Sequence, residues 1–129
     1  MNRKFFAIGL SLVLLSMALV FEASAQSKIT SIRQVRKIYA LRMKGDRVFS
    51  SRLKKEMQQM DLRFVSVKSD ADAVLTGSGE YSDGEFYGQI KFFNLDGKLI
   101  WQAKATRPRN STYMAYSRLA DQLRRALGK

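Results

Sequence analysis

The chain has 129 residues and a formal net charge of +12, with neither cysteine nor histidine. The two missing residue types exclude disulfides, catalytic triads that use histidine, and zinc sites built from Cys or His. The remaining catalytic designs are chiefly a pair of carboxylates or a metal held by oxygen ligands.

The N-terminus has the pattern of a secretory signal sequence. Arg3 and Lys4 precede an uncharged apolar run over residues 5–21, and Ala23-Ser24-Ala25 offers the small side chains that a signal peptidase reads. The apolar run is at the short limit for spanning a bilayer, so an uncleaved membrane anchor is the alternative.

We therefore expect a signal peptide over residues 1–25 and a periplasmic or secreted protein after cleavage near Ala25. A flexible segment over residues 26–34 and a single domain over residues 35–129 would follow. The distribution of charge is uneven, because basic residues dominate both ends of this domain and acidic residues its middle.

The first half of the domain reads as a strand, a helix and a short strand. Residues 35–41 alternate and are rich in β-forming side chains, and the turn at Lys44-Gly45 leads to Asp46, a good helix N-cap. The spacing of Phe49, Leu53, Met57 and Met60 then predicts one apolar stripe on a helix. A short strand follows over residues 62–67, and another begins near Ala73.

Two Asp-Gly pairs, at residues 83–84 and 96–97, predict two tight hairpins. A type I′ turn needs positive φ at both central positions, which Asp-Gly tolerates. The first turn pairs Gly79 with Gly88, and the second pairs Phe93 with Ile100 and Asn94 with Leu99. The two registers agree on one apolar sheet face, which holds Ala73, Leu75, Tyr81, Phe86, Ile90, Phe92, Leu99, Trp101 and Ala103.

Three glycines, at positions 77, 79 and 88, fall on this apolar face. A missing side chain lets a helix approach the sheet closely, so we interpret them as packing glycines. The chain ends with a second apolar helical stripe, formed by Tyr116, Leu119, Leu123, Ala126 and Leu127, before Gly128.

This order of elements, β-α-β-β-β-β-α, predicts an α+β fold. We expect a two-layer αβ sandwich in which a mixed sheet of about five strands carries both helices on one face.

The acidic and glycine residues in the middle of the chain do not have the spacing that a metal site, a phosphate-binding loop or an acid–base pair requires. A calcium loop that begins at Asp70-Ala71-Asp72 would place Val74, Leu75 and Tyr81 at positions that need polar ligands or glycine. Gly77-Ser78-Gly79 precedes a hairpin rather than the helix that a phosphate-binding loop requires. Glu80, Asp83 and Glu85 flank or form a solvent-facing turn. We predict no catalytic, cofactor-binding or metal site, and no enzyme activity.

Two surfaces are candidates for binding. The second sheet face is mostly polar but holds an apolar group, which we predict as a partner surface: Val74, Tyr87, Phe93 and Ile100. The alternative is that the segment before the domain covers this group with Ile29 and Ile32. The two helices carry basic residues that predict a polyanion surface, against the alternative of a solvated basic face: Arg52, Lys54, Lys55, Arg118, Arg124 and Arg125. No aromatic residue is interleaved with them to stack on bases, which disfavours nucleic acid.

The motif Ala71-Asp72-x-Val74-Leu75-Thr76-Gly77, followed by an alternating strand, NLDGKLIW and a terminal helix, resembles a known pattern. It is similar to the amino-terminal domain of TolB and to the related periplasmic domains of LpoB and CsgG. The resemblance implies an αβ module of the envelope that binds proteins or assembles and is not an enzyme.

From this we expect an exported bacterial envelope protein that acts as a non-catalytic binding or assembly module, with another envelope protein as its partner. The alternative is a basic adaptor for anionic envelope polymers or lipid head groups. A hydrolase that uses carboxylates is a third class.

Overall fold

The computed structural model of the protein describes residues 29–108 and 112–129. The predicted signal peptide and its cleavage near Ala25 lie outside the described residues and stay predictions. Within the described ranges, no helix is both long and apolar enough to cross a membrane.

The described residues form six strands and two α-helices. The strands are β1 (Lys37–Ala40), β2 (Lys44–Gly45), β3 (Arg63–Phe64), β4 (Ala73–Ser82), β5 (Glu85–Phe93) and β6 (Leu99–Pro108). The helices are α1 (Arg47–Gln58) and α2 (Thr112–Ala126), and two single-turn 3-10 helices span Ile32–Gln34 and Lys68–Asp70. The α+β class is confirmed. The order differs from the prediction by one strand, because β2 lies where a turn at Lys44-Gly45 was predicted.

The sheet is mixed, with the strand order β3-β1-β4-β5-β6 and with β2 also paired to β4. β1 runs parallel to both β3 and β4, whereas β4, β5 and β6 form an antiparallel meander. The unit β1-α1-β3 is a parallel crossover that carries its helix on one face of the sheet. The strand predicted over residues 62–67 is limited to Arg63–Phe64.

The first hairpin has the predicted geometry. Asp83 and Gly84 both have positive φ, 50° and 77°, and Ser82 pairs with Glu85. The predicted partners Gly79 and Gly88 are opposite each other, and the register holds from Val74 to Ser82.

The second hairpin differs from the prediction. Gly97 has φ of 86°, but Asp96 does not have positive φ, and the backbone N–H of Asn94 donates to the carbonyl of Lys98 at 2.8 Å. The loop is therefore three residues long, a type I turn closed by a left-handed glycine. An extra residue in β6, Ile100, then restores the register, because Phe93 pairs with Leu99 while Phe92 pairs with Trp101. The predicted pairs Phe93–Ile100 and Asn94–Leu99 are wrong.

The core lies between the sheet and the two helices. The Asp46 side chain accepts a hydrogen bond from the backbone N–H of Phe49 at 2.8 Å, which fixes the start of α1 as predicted. A Cβ atom on Gly88 would meet both Phe49 of α1 and Leu119 of α2, at 3.0 and 3.1 Å. Both helices therefore pack on the same sheet face, above Gly79 and Gly88, whereas Met43 and not a helix lies over Gly77.

Two residues assigned to this apolar face are more exposed than expected. Tyr81 is 43% exposed, although its ring packs on Phe86 with the ring centroids 4.9 Å apart. Leu99 is 44% exposed, because the irregular register places it beside Phe93 instead of Asn94.

The described part of the N-terminal segment packs against the same core. Ser31 and Gln34 form a reciprocal capping box around the 3-10 turn. The side chain of Ile32 is buried in the core cluster and Ile29 packs against it. These contacts place the two isoleucines with the main core and not over the second face of the sheet.

Candidate functional site

The sheet face opposite the helices is the strongest candidate for a binding surface. We call it the open face. It is formed by alternate residues of β1, β4, β5 and β6, and no described helix packs on it: Tyr39, Val74, Thr76, Ser78, Gln89, Lys91, Phe93, Leu99 and Gln102. A solvated sheet face normally carries polar side chains, so apolar residues on it need an explanation.

One register row of the open face is apolar across four strands. Tyr39 pairs with Val74, Val74 with Phe93, and Phe93 with Leu99. We call these four residues the apolar row. Val74 is buried by its neighbours, Tyr39 and Phe93 are half-buried, and Leu99 is 44% exposed. A contiguous apolar strip of this kind on an uncovered face is typical of a protein-binding site.

The structure brings together only part of the predicted partner surface. Val74 and Phe93 are direct cross-strand neighbours, as predicted. Ile100 packs against the helix-side core instead. Tyr87 lies on the same face as Phe93 but six residues along β5, which corresponds to about 20 Å.

Tyr39 and Leu99 complete the apolar row and were not predicted as site residues. The position of Tyr39 depends on the parallel pairing of β1 with β4. No hairpin turn joins these two strands, so no turn motif in the sequence indicates that they pair. A signal for Leu99 is present in the sequence, since Asn94 and Gly97 suit the first and last positions of a type I turn.

The far end of the open face is acidic. Glu80, Asp83 and Glu85 surround the first hairpin, and the Tyr87 hydroxyl donates to Oε2 of Glu85 at 3.0 Å. This hydrogen bond, followed by the negative charge of Glu85, raises the pKa of Tyr87 above its ordinary value of 10.0. The arrangement holds the Tyr87 proton more tightly, which is the opposite of what a proton donor near neutral pH requires.

A cationic depression lies beside the apolar row. It has a volume of about 360 Å³ and sits beside the link between β1 and β2, where Arg42, Lys44 and Lys91 contribute positive charge. Its remaining lining residues are Leu41, Thr76, Gly77, Ser78 and Gln89. Within the described residues, none of its three basic side chains has a carboxylate partner within 4.0 Å, since the ion pairs there involve Arg124 and Lys129.

The predicted polyanion surface on the helices is only partly free. Arg52, Lys54 and Lys55 line a wide depression along α1 together with Ser51 and Gln58. Arg118 and Arg125 on α2 are exposed.

Arg124, the remaining member, is engaged in ion pairs. Its guanidinium lies 3.6 Å from Glu56 and 2.8 Å from Asp121. Asp121 and Arg124 are three residues apart on α2, so this ion pair lies within one turn of the helix. Because Glu56 belongs to α1, this arginine links the two helices.

Asp72, an acidic residue of the Asp70-Ala71-Asp72 pattern, has a structural role. Oδ2 of Asp72 accepts hydrogen bonds from the backbone N–H groups of Arg36 and Lys37, both at 2.9 Å, which ties the start of β1 to β4. In residues 29–108 and 112–129, no group of three or more His, Cys, Asp or Glu side chains is placed to hold a metal ion.

No protein-family profile and no curated protein matches the chain. Among solved structures, TolB from Acinetobacter baumannii has 13% identity and a TM-score of 0.58, over 72% of this chain and 28% of that one. The LpoB C-terminal domain from Salmonella enterica has 10% identity and a TM-score of 0.45, over 64% and 87%. Lipoprotein GNA1162 from Neisseria meningitidis has 12% identity and a TM-score of 0.48, over 68% and 96%.

The match to TolB confirms the predicted resemblance as a shared fold. The chain corresponds to little more than a quarter of the TolB chain. At this level of identity the comparison concerns the architecture of the αβ domain alone.

Proposed function

We propose that this protein is an exported, non-catalytic module of the bacterial envelope that binds another envelope protein through its open face. The observation that carries the proposal is the apolar row, which crosses four strands on the face that the helices leave free. Burial of apolar surface supplies about 25 cal/mol per Å², so a partner that covers this row gains affinity without any new chemistry.

Two further observations support an envelope role. The N-terminal 25 residues have the charge, apolar run and small residues of a signal sequence. The αβ architecture is shared with part of TolB.

The competing proposal is a basic adaptor that binds anionic polymers or lipid head groups through the helices. It draws on Arg52, Lys54 and Lys55, which have no described ion-pair partner. The ion pairs of Arg124 with Glu56 and Asp121 weaken it, because a neutralised side chain contributes little to polyanion binding. We therefore place binding on the open face first.

Site-specific photo-crosslinking in living cells separates the two proposals. A photoreactive residue placed at Phe93 or Leu99 should give a discrete protein adduct, which mass spectrometry identifies. The same residue at Lys55 or Arg118, on the helix side, serves as the control and should give none. Adducts that form only from the helix positions, or lipid adducts alone, would contradict binding through the open face.

A substitution test uses the same adduct as its readout. Leu99→Ser should reduce the yield of the adduct from Phe93, because it removes part of the apolar contact. Val48→Ser is the matched control, since Val48 is an apolar residue of α1 that is 65% exposed. Equal losses from the two substitutions would show that the apolar row has no special role.

A further inference from the structure

We infer that the segment bound on the open face is acidic as well as apolar, with its carboxylates over the depression formed by Arg42, Lys44 and Lys91. This inference rests on the proposed binding through the open face and specifies the chemistry of the partner. It assigns the cationic depression a role as an anion-binding subsite within a protein interface.

The first argument is the lack of charge compensation. Within the described residues, Arg42, Lys44 and Lys91 have no carboxylate within 4.0 Å, although they converge on one depression. Cations that stay unpaired beside one another repel, and an anionic partner relieves that repulsion while it steers the encounter.

The second argument is the position of Lys91 within the sheet. Lys91 lies on the inner strand β5, half-buried between its cross-strand neighbours Thr76 and Gln102. Hydroxyl and amide groups of Thr76, Ser78 and Gln89 surround it and add hydrogen-bonding capacity for a carboxylate.

The third argument is adjacency. Lys91 and Phe93 are two residues apart on β5, and Thr76 and Val74 are two residues apart on β4. Residues i and i+2 of a strand face the same side at a separation of about 7 Å. A partner segment of a few residues can therefore place an apolar side chain on the apolar row and a carboxylate over the depression.

Other occupants fit the charges less well. A second copy of this chain carries the same net charge of +12, so electrostatic repulsion opposes the approach of two copies. A lipid surface favours cations that project from the protein, whereas the half-buried Lys91 is recessed between two strands.

The test is a titration of the purified protein, labelled for backbone NMR, with short synthetic peptides of defined composition. One peptide alternates glutamate and leucine, and a second alternates lysine and leucine. The acidic peptide should shift the amide signals of Thr76, Lys91 and Phe93, and the basic peptide should leave them unchanged. Equal effects of the two peptides, or shifts confined to α1 and α2, would overturn the inference.

Charge reversal on the two faces provides the matched comparison. Lys91→Glu should weaken binding of the acidic peptide about five- to tenfold, because it replaces attraction by repulsion in a partly desolvated position. Lys91→Gln keeps the size and polarity and should give a smaller loss, which guards against a folding defect in the glutamate variant. Lys55→Glu makes the same charge change on α1 and should alter the affinity less than about twofold.

Two outcomes distinguish this inference from the proposed function. If the photo-adduct from Phe93 forms equally with Lys91→Glu and is insensitive to salt, the open-face interface stands and the acidic partner is wrong. If vesicles that contain phosphatidylglycerol shift the open-face signals while the acidic peptide does not, a lipid is the ligand and the inference is overturned.

Discussion

Gly79 shows how one residue determines the approach of a helix to the sheet. A Cβ atom at this position would lie 2.7 Å from Cζ of Phe86 and would also overlap the ring of Phe49. The first turn of α1 can therefore pack on β4 only because position 79 has no side chain. The sequence indicated this role, since the register of the first hairpin places Gly79 opposite Gly88.

We predict that Gly79→Ala lowers the free energy of unfolding by about 1–3 kcal/mol, because overpacking forces Phe49 and Phe86 away from their positions. Chemical denaturation measures the change. Ser78→Ala, one residue away on the open face, is the control and should have a much smaller effect.

The double variant Gly79→Ala/Phe49→Leu tests the cause of this loss. A smaller side chain at position 49 makes room for the added methyl group, so the two costs should be less than additive. Strict additivity would show that the clash with Phe49 is not the reason for the destabilisation.

The pair of Tyr87 and Glu85 gives a pH-dependent prediction. The hydrogen bond to Glu85 raises the pKa of Tyr87 above 10.0, so the folded protein keeps this proton where the unfolded chain has lost it. The resulting contribution to stability is present below pH 10.0 and is lost as the pH rises through the folded-state pKa of Tyr87. An NMR titration should show that Glu85→Ala lowers the pKa of Tyr87 toward 10.0. Glu80→Ala, which removes a cross-strand neighbour of Tyr87, should leave the raised pKa of Tyr87 unchanged. If Glu85→Ala also left this pKa unchanged, Glu85 would not be the cause of the shift.

At the scale of elements, the two Asp-Gly hairpins show which turn signals suffice. Asp83-Gly84 forms the predicted two-residue turn because the residues that flank it pair directly. At the second turn the buried side chain of Asn94 favours a three-residue loop over the two-residue Asp-Gly turn. Its Oδ1 accepts hydrogen bonds from the N–H groups of Asp96 and Lys98, at 3.1 and 2.9 Å, which favours the longer loop. A prediction based on the Asp-Gly pair alone does not include the hydrogen bonds of the Asn94 side chain, and it therefore gives the wrong loop length.

We predict that Asn94→Ala destabilises the protein by about 1–3 kcal/mol, because it leaves backbone donors of the turn and the carbonyl of Ile29 without their partner. Thermal unfolding measures the loss. Asp96→Ala changes an exposed residue of the same turn and should be nearly neutral. Similar melting temperatures for the two variants would show that the Asn94 side chain does not organise the loop.

The shortest elements were predicted least accurately, because β2 was not predicted as a strand and the strand predicted over residues 62–67 is limited to Arg63–Phe64. β2 and β3 contain two residues each, too few for a periodic pattern, and both form through parallel pairing with strands distant in sequence. The helices and the meander were predictable because their patterns are long.

At the scale of the whole molecule, the candidate site depends on the strand order. Val74 and Phe93 were predictable as neighbours because a single hairpin joins them. Tyr39 and the cationic depression required the parallel placement of β1 and β2 beside β4, which the local sequence does not encode. Functional surfaces that cross several strands are therefore harder to predict than the fold class that supports them.

The distribution of charge leads to a prediction for the folded protein as a whole. The sequence carries 23 Lys and Arg residues against 11 Asp and Glu, and three close ion pairs occur among the described residues. A compact state with this excess of positive charge is opposed by its own repulsion, which salt screens over a Debye length of about 10 Å at 0.1 M. We therefore expect sodium chloride at moderate concentration to raise the free energy of unfolding by up to about 1 kcal/mol.

Thermal unfolding at low and moderate sodium chloride measures this effect, and a fall in the melting temperature would contradict it. Lys55→Glu, which reduces the excess by two charges on an exposed helix position, should make the melting temperature less sensitive to salt. The sign of this salt effect matters for the binding experiments. Salt would raise the free energy of unfolding, while it would weaken the contacts between the cationic depression and an acidic segment. A loss of peptide binding at higher ionic strength would then report on the interface, since the folded fraction of the protein does not decrease under those conditions.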